Sequence, residues 1–181
     1  MIFTTNHAGT LAYLSPGWAE ITGQDAEAAA NYGWVQAVHL EDRETVRAVV
    51  SRAIAEQREF SVRYRLIDTA GRPVCVAAAA MPRHEPHAHT FLGFLGSVSE
   101  IVERRPTASA DGLVGRLAPL PPGMRRVPTS FQETAAEHIL AAQAHTLQAS
   151  SGSTRRALEL AAFEVGRQLA QECGVASIEL H

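Results

Sequence analysis

The chain has 181 residues, 46% of them apolar, enough for one globular domain with a smaller appendage. Its formal charge of -3 and pI near 6.2 offer no general electrostatic reason to bind nucleic acid. All 16 basic residues are arginine, which excludes Schiff-base and phosphate-loop lysine chemistry. Cys75 and Cys173 lie far apart and without metal spacing. With no cleavable apolar leader and no membrane-length apolar run, a reducing cytoplasm is the expected setting.

Ile2 to Thr5 and Leu11 to Leu14 read as two short strands about a turn at Asn6-His7-Ala8-Gly9. Ser15 is expected to cap a helix with Pro16 as its first residue, Trp18 and Ile21 as buried contacts, and Gly23 as its end. Asp25 caps a second short helix, Ala26 to Ala30. From Gly33 the chain runs into a helical pattern ending near Gln57, where Val46, Val49, Val50, Ala53 and Ile54 recur at three- and four-residue spacing. A strand follows, with Phe60, Val62, Tyr64 and Leu66 on one face and Ser61, Arg63 and Arg65 on the other. A turn at Asp68 to Gly71 leads into Val74 to Met81; a polar loop from Arg83 to Thr90 then precedes a closing strand, Phe91 to Val98. Two apolar faces on a short connector predict a helix lying across a sheet, with any remaining space between them as a pocket.

The run Trp34 to Arg43, containing His39-Leu40-Glu41-Asp42-Arg43, resembles the Trp-x-x-x-x-His-Pro-Glu-Asp-Arg segment of PAS domains. Tyr64-Arg65-Leu66, Ala70-Gly71-Arg72, Met81-Pro82 and the exit Gly96 to Arg105 resemble further segments of that family in the same order. The resemblance covers residues 1–105. It implies an α+β PAS fold, a five-stranded antiparallel sheet with flanking helices, often dimeric, that binds a small ligand or a partner protein and signals through its flanking helices. In that family the opening strands and small helices form one wall of the ligand cavity.

The strand Val74 to Met81 departs from the family, since Cys75 stands where Trp is usual and Ala77 and Ala79 where charged residues are frequent. Both its faces are small or apolar. An apolar outer strip of Cys75, Ala77, Ala79 and Met81 calls for a cover, and is the expected interaction surface. The inward residues Trp34, Val50, Ile54, Val62, Tyr64, Ala78, Ala80 and Phe94 would line the pocket, unless larger side chains fill the space. His84, His87 and His89 fall within six residues, a spacing open to a transition metal, but a flexible loop holding Pro86 is a poor cage and no metal site is assigned.

Residues 106–128 are rich in Pro, Gly and Arg and read as a linker, with Leu113, Val114, Leu117, Leu120 and Met124 able to pack on the domain. Residues 129–181 read as an antiparallel helical hairpin. Ser130-Phe131-Gln132-Glu133 has the form of a capping box, with Ala135, Ile139, Ala142, Thr146 and Ala149 as the stripe of the first helix. Ser153 or Thr154 caps the second, whose stripe is Leu158, Ala161, Ala162, Val165 and Leu169, and Gly174 stops it. So many alanines bury little area per residue, so the hairpin should dock on the sheet or on a second copy.

The chain carries no phosphate loop, nucleophile elbow, kinase or cyclase signature, so a non-catalytic module is expected. No cofactor is assigned: the Asn-Cys-Arg-Phe helix of flavin-binding photosensors in the family is absent, and the resemblance treats His39 as structural and not as a haem ligand. The expected function is that of a cytoplasmic, bacterial-type sensor or protein-interaction module, a homodimer with a small-molecule ligand or a signalling partner, and with neither nucleic acid nor membrane as partner. The rivals are a ligandless adaptor and a phosphorelay component using His138 or His145, seven apart on one helix.

Overall fold

The computed structural model describes residues 1–101, 109–117, 130–146 and 152–172. Strands β1 (Ile2–Thr5) and β2 (Leu11–Leu14) form the opening hairpin. Helices α1 (Gly17–Thr22) and α2 (Ala26–Ala29) follow, then two 3₁₀ turns, Gly33–Ala37 and Leu40–Asp42, and the long helix α3 (Arg43–Glu56). Strands β3 (Phe60–Ile67), β4 (Pro73–His84), β5 (Phe91–Glu100) and β6 (Asp111–Val114) precede helices α4 (Phe131–Thr146) and α5 (Gly152–Glu172).

The six strands make one antiparallel sheet in the order β2-β1-β5-β4-β3-β6. The fold is α+β as expected, with one strand more. The sixth strand comes from the stretch read as linker: Asp111–Val114 pairs with Arg63–Phe60 along the open edge of β3 and supplies the hydrogen bonds that edge would otherwise leave to solvent. The approach is close enough to need a glycine, since a Cβ on Gly112 would stand 2.9 Å from a Val49 methyl of α3. Strand β4 also runs past Met81 to His84, which shortens the expected loop.

Local chemistry explains most of the remaining joints. Gly23 ends α1 in the left-handed conformation, and the Asp25 side chain accepts the Ala28 N–H at 2.8 Å to start α2. Asp68 accepts the backbone N–H groups of Ala70 and Arg72 and so makes the turn between β3 and β4. Ser15 does not cap α1: Pro16 holds that position without a side-chain bond, and the Ser15 hydroxyl instead accepts the Ile2 N–H and donates to Glu133. In the capping box only Ser130 plays its part, accepting the Glu133 N–H at 3.2 Å.

The sheet separates two apolar layers. On one face α3 and the small helices cover Val62, Tyr64, Leu66, Val76, Ala78, Phe94 and Val98. On the other, α4 and α5 place Ala136, Leu140, Ala162 and Leu169 against Ile2, Tyr13, Met81 and Leu95. The buried face of α4 is Glu133, Ala136, Leu140, Gln143 and Ala144, and not the expected stripe, whose Ala135, Ile139, Ala142 and Thr146 are only half-buried. Alanine is common all round this helix, so periodicity alone could not fix its rotation. In α5 the stripe holds, with Ala162 and Leu169 fully buried beside Gly166. The expected Ala149 and the stop at Gly174 lie outside the described residues.

Candidate functional site

Between the sheet and α3 lies a cavity that leaves about 70 Å³ in which the centre of a water-sized sphere can move. Trp34, Val50, Ile54, Val62, Tyr64, Ala78 and Phe94 all line it. They are joined by residues that the sequence reading did not assign to the pocket: Phe3, Thr5, Gly9, Leu11 and Leu14 from the opening hairpin, with Trp18, Val46, Phe60 and Val98. Trp18, Val46 and Phe60 already stood on apolar faces in the sequence, and the hairpin residues lie in the part that the family resemblance assigns to one wall.

Ala80 is the exception among the expected lining residues. It is fully buried, but it pairs with Gly96, and the Phe3 ring lies over that glycine: a Cβ there would meet Phe3 Cζ at 2.3 Å and the Ala80 methyl at 2.8 Å. The ring closes that end of the cavity. Aromatic contacts continue the wall, with Phe94 edge-on to Phe60 at 5.4 Å and to Phe91 at 5.2 Å between centroids. Trp34 and Val50 also line a cleft on the outside with Tyr32, Arg47 and Ser51, so these two side chains stand between cavity and solvent.

The lining is almost wholly apolar. Thr5 Oγ1 accepts the Phe94 N–H at 2.9 Å, and the Trp18 indole N–H donates to Gln24 at 3.2 Å. Tyr64 is 6% exposed, and burial alone pushes its phenol well above the usual range. Among the described residues no carboxylate, histidine, arginine or cysteine lines the cavity. His39 is not among the lining residues; its backbone N–H donates to the Arg65 carbonyl, and the buried Nδ1 of its half-buried ring is without a hydrogen-bond partner among the described residues.

One charged cluster was not legible as such. Arg65, read as an outward residue, is 9% exposed and grips the fully buried Asp42 through Nε at 2.9 Å and Nη2 at 2.6 Å. Asp42 also accepts the N–H groups of Arg65 and, at 3.3 Å, of Ala110, while Glu41 takes the second Nη2 bond at 3.0 Å. Burial raises the Asp42 pKa, but the hydrogen bonds from Arg65 and Ala110 outweigh it and hold the carboxyl below its ordinary value. The two motif pieces Glu41-Asp42 and Arg65 are therefore one structural clasp, and through Ala110 it also fixes the chain entering β6.

On the opposite sheet face, Ala79 packs with Leu117 and Ala144, and Met81 with the residues of α4 and α5; Ala77 is buried and Cys75 half-buried. The outer strip thus lies under segments that follow Arg105. Glu133 of α4 reaches into this face, 3% exposed, and accepts from the Tyr13 hydroxyl at 2.7 Å and from Ser15. Arg83, 7% exposed, donates to the Thr5 carbonyl at 2.8 Å and packs beneath Gly166 of α5, where a Cβ would stand 2.7 Å from its Cδ. Burial lowers the Arg83 pKa to about 10. His84 leans on Phe91, with centroids 5.8 Å apart, while His87 and His89 are exposed; among the described residues no group of three His, Cys, Asp or Glu could hold a metal. His138 and His145 are exposed on α4.

A sheet flanked by small helices and one long helix, with a cavity between, is the architecture of a PAS domain. Residues 11–95 match the family model described as PAS fold, and this part of the chain is a PAS-fold domain, a member of a family of sensory, generally non-catalytic modules. Over 105 residues the chain is 40% identical to the uncharacterized protein y4lL of Sinorhizobium fredii; the match covers 58% of this chain and spans 13% of that relative's length. Among solved structures, the PAS domain of a Colwellia psychrerythraea protein is 20% identical, with a TM-score of 0.46 over 57% of this chain and 86% of its own. The Rhodobacter sphaeroides LOV protein is 16% identical, with a TM-score of 0.49 over 96% of this chain and 85% of its own. Among the described residues no helix is long and apolar enough to cross a membrane.

Proposed function

We propose that the domain senses a small molecule in the cavity between α3 and the sheet, and passes the change to the helices docked on the opposite sheet face. The observation that carries this reading is the cavity itself, an apolar space left open by Ala78 on a strand whose neighbours are large. Thr5 supports the coupling. It lines the cavity, its hydroxyl holds the Phe94 backbone, and its carbonyl holds Arg83, which in turn sits under Gly166 of α5. A ligand that shifts β1 or β5 therefore acts on the seat of α5. Coupling of this kind is typically worth about 1–3 kcal/mol, a five- to hundredfold change in a partner's affinity. The reading is of a homodimeric, cytoplasmic signalling module, with the surface exposed on movement of α4 and α5 as the output.

Ala78→Leu tests it. The added carbons enter free space, so stability should fall by less than about 1 kcal/mol, whereas overpacking a filled core costs about 1–3 kcal/mol. Native mass spectrometry of the wild type should find a small molecule or take one up, and the variant should not. A large loss of stability with no ligand in the wild type would leave a ligandless adaptor.

A further inference from the structure

We infer that the cavity selects a small, neutral, mostly apolar molecule carrying one oxygen function, which hydrogen-bonds to the Tyr64 hydroxyl. This rests on the sensory reading of the cavity given above and names its ligand class.

Size comes first. One water needs about 10–15 Å³ of space for its centre, so the cavity's 70 Å³ suits a molecule on the order of five heavy atoms. Charge comes next: among the described residues no carboxylate, arginine or histidine lines the walls, so an ionised ligand would lose its hydration with no counter-ion from them in return. Among the described residues, two hydroxyls line the cavity. Thr5 Oγ1 already accepts the Phe94 N–H and retains its own proton to donate. Tyr64 lines the cavity with a side chain 6% exposed, and its hydroxyl makes no hydrogen bond to the described residues. A buried phenol ordinarily finds a partner, and here a ligand oxygen is the group that can supply one. A pure hydrocarbon would fill the same space and leave that hydroxyl unpaired.

Three probes separate the possibilities: 1-butanol, n-pentane and butyrate, each titrated into the full chain while the methyl resonances of Val62 and Ala78 are followed. Butanol should shift both methyls and also the Tyr64 ring carbon that bears the hydroxyl, and butyrate should bind at least tenfold more weakly. Tyr64→Phe should weaken butanol about three- to tenfold, the worth of one hydrogen bond, and leave pentane unweakened. That retained pentane binding also checks that the variant is folded. If Tyr64→Phe affects butanol and pentane alike, if butanol leaves the Tyr64 carbon unmoved, or if butyrate binds as well as butanol, the inference is overturned while the sensory reading stands. If none of the three probes moves the cavity methyls, the sensory reading fails and takes the inference with it.

Discussion

At the scale of single residues, Asp42 and Arg65 form a buried ion pair closed by several hydrogen bonds. The carboxylate receives four hydrogen bonds in a site without solvent access, three of them from one arginine. Asp42→Asn leaves the guanidinium with only the exposed Glu41 as counter-charge, and breaking a buried pair in this way costs about 3–5 kcal/mol. The same contact sets an acid limb. Because the native pKa of Asp42 lies below its unfolded value of about 3.9, the stabilisation is complete above that pH and lost as pH falls through the lower native value. Urea midpoints measured from pH 6 to pH 2 should therefore fall steeply for the wild type and more gently for Asp42→Asn. Parallel curves would place the acid sensitivity in other groups.

At the scale of elements, the helix-to-sheet contact is built less securely than the α3 side. Thr4 Oγ1, Arg83 Nε, Ser97 Oγ and Gln143 Oε1 are buried in the layer beneath α4 and α5 without hydrogen-bond partners among the described residues. Each such group costs about 1–3 kcal/mol, offset by the apolar stripe and by the Glu133 bonds to Tyr13 and Ser15. Elements held by such a balance open before the global transition. Glu133→Ala, which removes the shared acceptor of the Tyr13 and Ser15 hydroxyls, should lose about 1–3 kcal/mol, and it should deprotect α4 and α5 in hydrogen exchange while α3 and β3 keep their protection. Uniform loss across the chain would mean that helices and sheet unfold as one unit.

For the whole molecule, the consequence is that one sheet carries two functions, a cavity on one face and a cover on the other. Ala79 is covered by Leu117 and Ala144. Ala79→Glu puts an unpaired charge there, and burying it is costly enough that the helices should leave the sheet instead. Light scattering and hydrogen exchange should then report an expanded or self-associated species with an unprotected hairpin, and unaltered butanol-induced shifts at Val62. Unchanged mass and protection would show that this contact does not hold the cover in place.

The sequence by itself determined the order of the first five strands and the stripe that α3 turns to the sheet, because alternation and three-to-four spacing are local and the PAS segments occur in order. It also called for a cover over Cys75, Ala77, Ala79 and Met81, since an apolar strip on both faces of one strand is visible in one dimension. Only the tertiary structure decided what met what. The β6 pairing needs a partner some fifty residues upstream, and the turn of α4 is invisible where alanine occupies every face. Glu133 reads as the acidic member of a capping box and Arg65 as an outward strand residue, yet each is buried by partners distant in the chain, Tyr13 and Ser15 for one and Asp42 for the other. A buried charge is fixed by the geometry of its partners, and that geometry exists only once the strands have been brought together.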